Sequence, residues 1–310
     1  MLRQNKYLIL FFPILLSQTL IAQDYTEALF SFYFGRLPSA RAEALGTGMV
    51  ASDAGPFASF HNPAAVCLNR GLTLGASHAS PLYLLRDAGY MFFGATYELG
   101  PFGHAGLSMY RLNLDEESNI TGPGGPDELF ETFEPSTTRF SITFAKETLK
   151  NLYAGVNVSQ VRDKPHDDTF SAIQIDLGLL KTIELDTNQR LSLGANLFDL
   201  THSKIFYLDE TQKDALPVIL NIGGSWQMST GRSALNTFDL HTLSFLVQVE
   251  YQHLLNSDYY DGLKGGAELG IIERIYPRCG LYRQDRNDYG FPEINKDVLE
   301  DFTYGIGIAQ

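Results

Sequence analysis

The chain runs to 310 residues and carries 23 Lys and Arg against 36 Asp and Glu, a net charge of −13. That balance excludes sequence-independent nucleic-acid binding, which needs a basic surface. Charged residues make up only 19%, below the roughly 25% usual in soluble domains, yet the mean hydropathy of −0.09 is far too low for a bundle of membrane helices. Apolar residues reach 44% but are diluted by polar ones throughout, as in strands that face lipid and lumen by turns. A secreted β-sandwich shares that composition. Cys67 and Cys279 offer neither a metal cluster nor a disulfide framework, and the expectation is two unpaired, packed thiols.

Residues 1–22 read as a cleaved secretory signal peptide. Arg3 and Lys6 supply the positive start, 7–16 the apolar core interrupted by Pro13, and 17–22 a more polar stretch ending in Ala22. The core is too short for a membrane anchor. Cleavage would leave Gln23 first, with no cysteine for lipid attachment. Beyond it no run of about 18 apolar residues occurs, so no helical span is expected.

Residues 23–70 differ from the rest. The small-residue stretch 40–46 predicts a short helix stopped by Gly46, and Asn62-Pro63 predicts a turn. From Gly71 the pattern has period 2. Leu72, Leu74 and Ala76 alternate with Thr73, Gly75 and Ser77; Phe140, Ile142 and Phe144 with Ser141, Thr143 and Ala145; Leu191, Leu193 and Leu197 with Ser192, Gly194 and Asn196; Val247, Val249 and Tyr251 with Gln248 and Glu250; Tyr304, Ile306 and Ile308 with Thr303, Gly305 and Gly307. These are two-faced strands, about 12 in number, many near the 9–11 residues of a tilted spanning strand. Short turns at 147–151 and 185–189 alternate with long polar excursions at 115–135, 162–168, 201–216 and 284–301, the outer-membrane arrangement. A sandwich would have shorter strands, and a propeller would show a repeated motif.

The pattern Ala40-Arg41, Leu45-Gly46, a small-residue stretch, Asp53, then Asn62-Pro63-Ala64 resembles the N-terminal signature of the PorV/PorQ family, itself similar to the FadL-type outer-membrane transporters. The resemblance implies a FadL-like barrel, which in that family has 14 strands, with 40–64 inside it as a plug. It further implies a role in the type IX secretion system of Bacteroidetes-like bacteria, either collecting secreted cargo or attaching it to the cell surface. FadL members proper carry hydrophobic compounds across the outer membrane. The chain departs from the pattern in Ala65-Val66 after the Asn-Pro-Ala and in His61. It ends at Gln310 within an apparent strand, and the reading favours a C-terminally truncated barrel over a smaller one.

The expectation is therefore an all-β transmembrane antiparallel barrel of 12–14 strands at 71–310, with the plug at 23–70 and the signal peptide before it. No catalytic motif is present: neither a Gly-x-Ser-x-Gly elbow, nor His-Glu-x-x-His, nor a phosphate loop. His78 and His104 fall on strands without a catalytic partner, and no enzyme activity, metal or cofactor is expected. The acidic loops around 115–117 and 127–128, and Asp163, Asp167 and Asp168, read as solvated surface before Ca²⁺ sites. The site residues singled out are Arg41, Gly46, Asp53, Asn62 and Pro63. Arg41 inside a barrel needs an acidic or carbonyl partner, and a bridge from plug to wall is favoured over a gate; Asp53 is read likewise. Expected partners are outer-membrane lipid, secretion-system proteins and secreted cargo. The alternatives are a FadL-like transporter of hydrophobic small molecules, with an apolar pocket beside the plug, and a secreted soluble β-sheet binding protein.

Overall fold

The computed structural model describes residues 38–79, 88–114, 116–119, 130–133, 135–164, 168–206, 213–230, 243–255, 260–286 and 298–308. The signal peptide, Asp115, the acidic positions 127–128 and Asp167 lie outside them.

The described chain opens with two short helices, α1 (Ala40–Ala44) and α2 (Ala58–His61), and the 3-10 turns Gly55–Phe57 and Pro63–Leu68. Strands follow: β1 (Leu72–Ala79), β2 (Ala88–Glu98), β3 (His104–Leu114), β4 (Glu116–Asn119), β5 (Phe130–Phe133), β6 (Ser136–Leu149), β7 (Leu152–Lys164), β8 (Phe170–Glu184) and β9 (Gln189–Phe198). Next come β10 (Lys204–Phe206), β11 (Lys213–Ala215), β12 (Ile219–Ser229), β13 (Leu243–Leu254), β14 (Tyr260–Ile271), β15 (Ile275–Arg286) and β16 (Val298–Ile308). Twelve of these form one antiparallel sheet in the order β1-β2-β3-β6-β7-β8-β9-β12-β13-β14-β15-β16. Every sheet neighbour is the next large strand in the chain, a meander built from hairpins. The expected strand number matches the sheet. β1 and β16 are its edges, with no pairing between them among the described residues.

The connections follow the expected asymmetry with two refinements. One end of the sheet carries the short turns, with Asn151 at φ 58 in the left-handed region that Asn tolerates. The excursions at 115–135 and 201–216 are not structureless: they hold the hairpins β4–β5 and β10–β11. At the short-turn end the connection from β12 to β13 is longer than expected.

Exposure shows which way the two faces point. Leu72 is 62% exposed, Ile142 67% and Ile306 75%, and Leu107, Val158, Leu193, Val247 and Val249 are exposed with them. The alternate positions are buried and polar: Ser108, Arg139, Ser141, Thr143, Asn157, Ser159, Gln174, Asp176, Asn196, Gln248 and Glu250. The sheet thus buries its polar face and presents its apolar one, the inverse of a soluble sandwich. Soluble monomers rarely expose contiguous apolar surface beyond a few hundred Å². No helix of the described residues is long and apolar enough to cross a membrane.

What fills the polar face is the chain's own segment 38–69. Its Ala42, Leu45, Met49, Val50, Ala51, Ala58, Ala64, Ala65 and Val66 form one buried cluster with wall residues Ala145, Leu180 and Leu246. The segment reaches both sheet edges, with Ser77 of β1 donating to the Pro38 carbonyl and Thr303 of β16 accepting from the Gly46 N–H. One short segment can touch both edges and most strands between only if the sheet curls around it.

Candidate functional site

The segment is seated by glycines. In four places two neighbouring strands place glycines directly opposite each other: Gly75 and Gly94, Gly155 and Gly178, Gly194 and Gly223, Gly266 and Gly280. Each pair receives the segment. A Cβ on Gly94 would lie 2.8 Å from the Pro56 carbonyl carbon, on Gly178 2.8 Å from the Ala64 nitrogen, on Gly194 2.9 Å from Ala51 Cα, and on Gly266 2.8 Å from Leu45 Cα. These are approaches of backbone to backbone, which no side chain survives without displacement.

Between sockets, polar wall groups meet the segment's backbone. Glu250 accepts from the Val50 N–H at 2.8 Å, Ser225 donates to the Ala51 carbonyl at 2.9 Å, and Asn196 donates to the His61 carbonyl at 2.8 Å. Ser52 donates to Gln248 at 2.6 Å. An irregular segment inside a sheet has few partners of its own for its N–H and C=O groups, so a polar wall supplies them.

The five residues singled out from the sequence all lie on this segment, with distinct tasks. Arg41, in α1, makes a bidentate pair with Glu268 of β14, Nε to Oε2 at 2.9 Å and Nη2 to Oε1 at 3.1 Å, and donates through Nη1 to the Asp53 carbonyl. Gly46 ends α1: at φ +68 it occupies the left-handed region, Thr47 N–H reaches the Ala42 carbonyl at 2.8 Å, and Gly46 N–H reaches that of Glu43 at 3.2 Å. That is a Schellman closure. Asn62 accepts from the Ala64 N–H at 3.0 Å and donates to the carbonyls of Val50 at 2.8 Å and Leu179 at 3.0 Å, tying two parts of the segment to β8. Pro63 begins the 3-10 turn where its missing N–H is not needed. Asp53 departs from expectation. Its carboxylate is exposed and caps the Gly55 N–H at 2.8 Å, and its hydrogen bond with Arg41 is made through the backbone carbonyl.

Glu268 was not legible beforehand. It also accepts from Arg278 of β15, so one carboxylate joins the segment to two strands. Replacing Glu268 with alanine leaves two guanidinium groups without that anion and is expected to cost about 3 kcal/mol, the scale for breaking a largely buried pair. Arg41→Ala leaves Glu268 paired with Arg278 and is expected to cost less than half as much. The unfolding midpoints of the two variants in detergent check that order; equal midpoints would remove Glu268 as the shared anchor.

Other inward charges pair within the wall. Arg139 of β6 pairs with Asp176 of β8, which accepts from Asn157 of β7 at 3.0 Å, and Lys264 of β14 meets Glu250 of β13 at 3.1 Å. A signal existed for these: each is a charged residue on the polar phase of a strand, where its neighbours two residues away are Ser, Thr, Gln and Gly.

On the side of the segment facing the long connections lies a cavity of about 70 Å³, lined among others by Phe60, His61, Tyr110, Arg139, Phe198, Asn221, Glu250 and Lys264. Phe60, Phe92 and Tyr110 pack as a cluster, Phe92 and Tyr110 with centroids 4.6 Å apart. Arg139 lies over the Phe198 ring at 5.2 Å. Burial, then the charges of Lys264 and Arg41, push the His61 imidazole down to about 3, so it is neutral. Cys67 is half-buried and its thiol is pushed up to about 12, first by burial and then by Glu147. Cys279 is exposed on the outward face of β15, contrary to the expected packed thiol. Among the described residues no group of His, Cys, Asp and Glu could hold a metal ion. Asp163 is buried and accepts from Thr137 at 2.7 Å, a wall contact rather than solvated surface.

An inverted two-faced sheet curled around its own segment defines the class of architecture. No protein-family model matches the chain, and no curated protein matches it. Among solved structures it is similar to the toluene transporter TbuX of Ralstonia pickettii, at 13% identity over 82% of this chain and 94% of that one, with a TM-score of 0.40. At that identity and score the likeness says nothing about residues or activity.

Proposed function

We propose that the chain is an exported outer-membrane β-barrel whose segment 38–69 plugs the lumen, and that it passes small molecules between the long-connection side and the short-turn side. The observation that carries this reading is the inversion of the twelve-stranded sheet: large apolar side chains outward on its strands and paired charges on its inner face. Lipid is the environment in which that outward face is stable, and a closed array of strands is the way to cross it without helices. A cavity beside the segment, open to polar and aromatic groups of the wall, suits small solutes. The secretion role implied by the PorV/PorQ resemblance needs protein-binding surface on the long connections, much of which lies outside the described residues. Arg41, Gly46, Asn62 and Pro63 are occupied in seating the segment, which serves a transporter and a secretion component alike. No chemistry beyond binding is proposed.

The experiment is fractionation of expressing cells followed by gel electrophoresis with and without boiling. Recovery in outer membranes with a mobility that changes on boiling is the expected result. A soluble protein with one mobility ends the reading.

A further inference from the structure

We infer that the rim of the sheet on the long-connection side holds the phosphate group of an anionic lipid, on the outward face of β3, β6 and β7. The inference rests on the outer-membrane reading and names the lipid chemistry that this face selects.

The pairing registers set outward residues in level rows. One row runs His78, Met91, Arg111, Thr138, Arg162 and Ser171, from β1 to β8. The row above it holds Asn113, Ser136 and Lys164. On β3, β6 and β7 these positions point outward, because the residues between them, Tyr110, Leu112, Thr137, Arg139, Val161 and Asp163, are buried. Arg111 and Arg162 stand two strands apart, about 10 Å, with Thr138 between them and Lys164 just above. At that spacing two guanidinium groups can meet one phosphate, each with paired N–H donors.

Charge sets this stretch of rim apart. The chain has a net charge of −13, yet neither row contains an acid. No salt bridge among the described residues involves Arg111, Arg162 or Lys164. Asn113 accepts from Arg111 Nε at 2.6 Å, a contact that orients the guanidinium without engaging its terminal nitrogens. Further round the rim the charges are matched. His253 of β13 meets the Asp261 carboxylate of β14, to which Tyr251 also donates, and Arg283 stands opposite Glu300 in register. The acids of β4 begin at Glu116, beyond the end of β3, and Asp168 lies off the end of β8.

Continuity with the apolar face makes the occupant a lipid. In the next row down, Phe93, Met109, Phe140 and Ile173 flank Gln160, and below them lie Leu107, Ile142 and Val158. Each row is about 7 Å deeper than the last. A soluble anion would use the cations alone. An anionic lipid meets both, its phosphate on the arginines and its acyl chains on the exposed side chains beneath, while the arginine stems lie along the apolar surface.

The test uses the full chain folded in detergent and native mass spectrometry with phosphatidic acid and phosphatidylcholine of equal acyl length. Phosphatidic acid is expected to bind about 25-fold more tightly, roughly fivefold for each arginine. In the Arg111→Gln/Arg162→Gln double variant the preference is expected to fall below about fivefold, the share left to Lys164. The Lys146→Gln/Lys181→Gln variant removes the same charge from the outward face at the short-turn end and is expected to keep the preference. Equal binding of the two lipids by the wild type overturns the inference, and so does an equal loss in both double variants, which would show net charge alone at work. Inorganic phosphate in large excess is expected to leave the lipid bound; displacement would assign the arginines to a soluble anion and overturn it too. The wild-type comparison stands by itself if a variant does not fold. A boiling-dependent mobility without lipid preference sinks this inference alone, whereas a soluble protein sinks the outer-membrane reading first.

Discussion

Gly178→Ala will loosen the internal segment by about 3 kcal/mol. The added Cβ meets the Asn62 side chain, the Ala64 nitrogen at 2.8 Å and Pro63 Cδ at 2.9 Å. None of the three can step aside. Asn62 is held by its bonds to the Val50 and Leu179 carbonyls, and β8 is paired along its length with β7 and β9. Overpacking costs about 1–3 kcal/mol, and releasing the Asn62 bonds leaves buried groups unmet at about 1–3 kcal/mol more. The control is Gly224→Ala, on the outward face of β12, where an added Cβ finds its nearest atom at 3.4 Å. The temperature at which the folded band disappears should fall clearly for Gly178→Ala and little for Gly224→Ala. Cleavage of 38–69 by protease should rise in the same variant. Equal midpoints for the two alanines would show that the glycine pairs are not sockets.

Ile142→Arg should cost about 2–4 kcal/mol of folding stability in lipid vesicles, the scale for an arginine at the bilayer midplane. Ile142 is 67% exposed near the middle of β6, between Phe140 and Phe144 and opposite Leu107 and Val158, all of them exposed. In water, such a substitution at so exposed a position stays within about 0.5 kcal/mol. Leu149 makes the comparison sharp. It is 68% exposed but ends β6 at the short turn, where an arginine near the interface should cost only about 0–1 kcal/mol. The measurement is the folded fraction after insertion into vesicles at graded urea. A large loss for Ile142→Arg and a small one for Leu149→Arg assigns the outward face to lipid. Two small losses would return that face to water and withdraw the membrane reading.

Both predictions draw on features of different legibility. The apolar phase of β6 could be read directly, since Phe140, Ile142 and Phe144 alternate with Ser141 and Thr143. That the same phase points outward could not, because alternation is equally satisfied by a sandwich with its apolar face inward. The glycines of the sockets were visible one by one, but not as pairs. Gly155 meets Gly178 only because β7 and β8 pair in one register, and a shift by one residue would send every inward side chain outward. Arg41 was expected to need an acidic partner, yet Glu268 lies 227 residues away, and no local pattern connects them. Asp53, the nearby acid, proved to cap its own loop.

The chain by itself determined what depends on near neighbours. Period-2 patterning set the strands, Gly46 the end of α1, Asn62-Pro63 the turn, and the paucity of long apolar runs the absence of an expected helical span. Each is decided by backbone sterics and side-chain spacing over a few residues. Tertiary structure decided which face is buried, which glycines meet, which carboxylate holds Arg41 and Arg278, and which residues line the cavity beside the segment. These depend on strand register and on the curvature that brings β1 and β16 to one short segment. Both are properties of the whole sheet, set by the balance of many contacts at once.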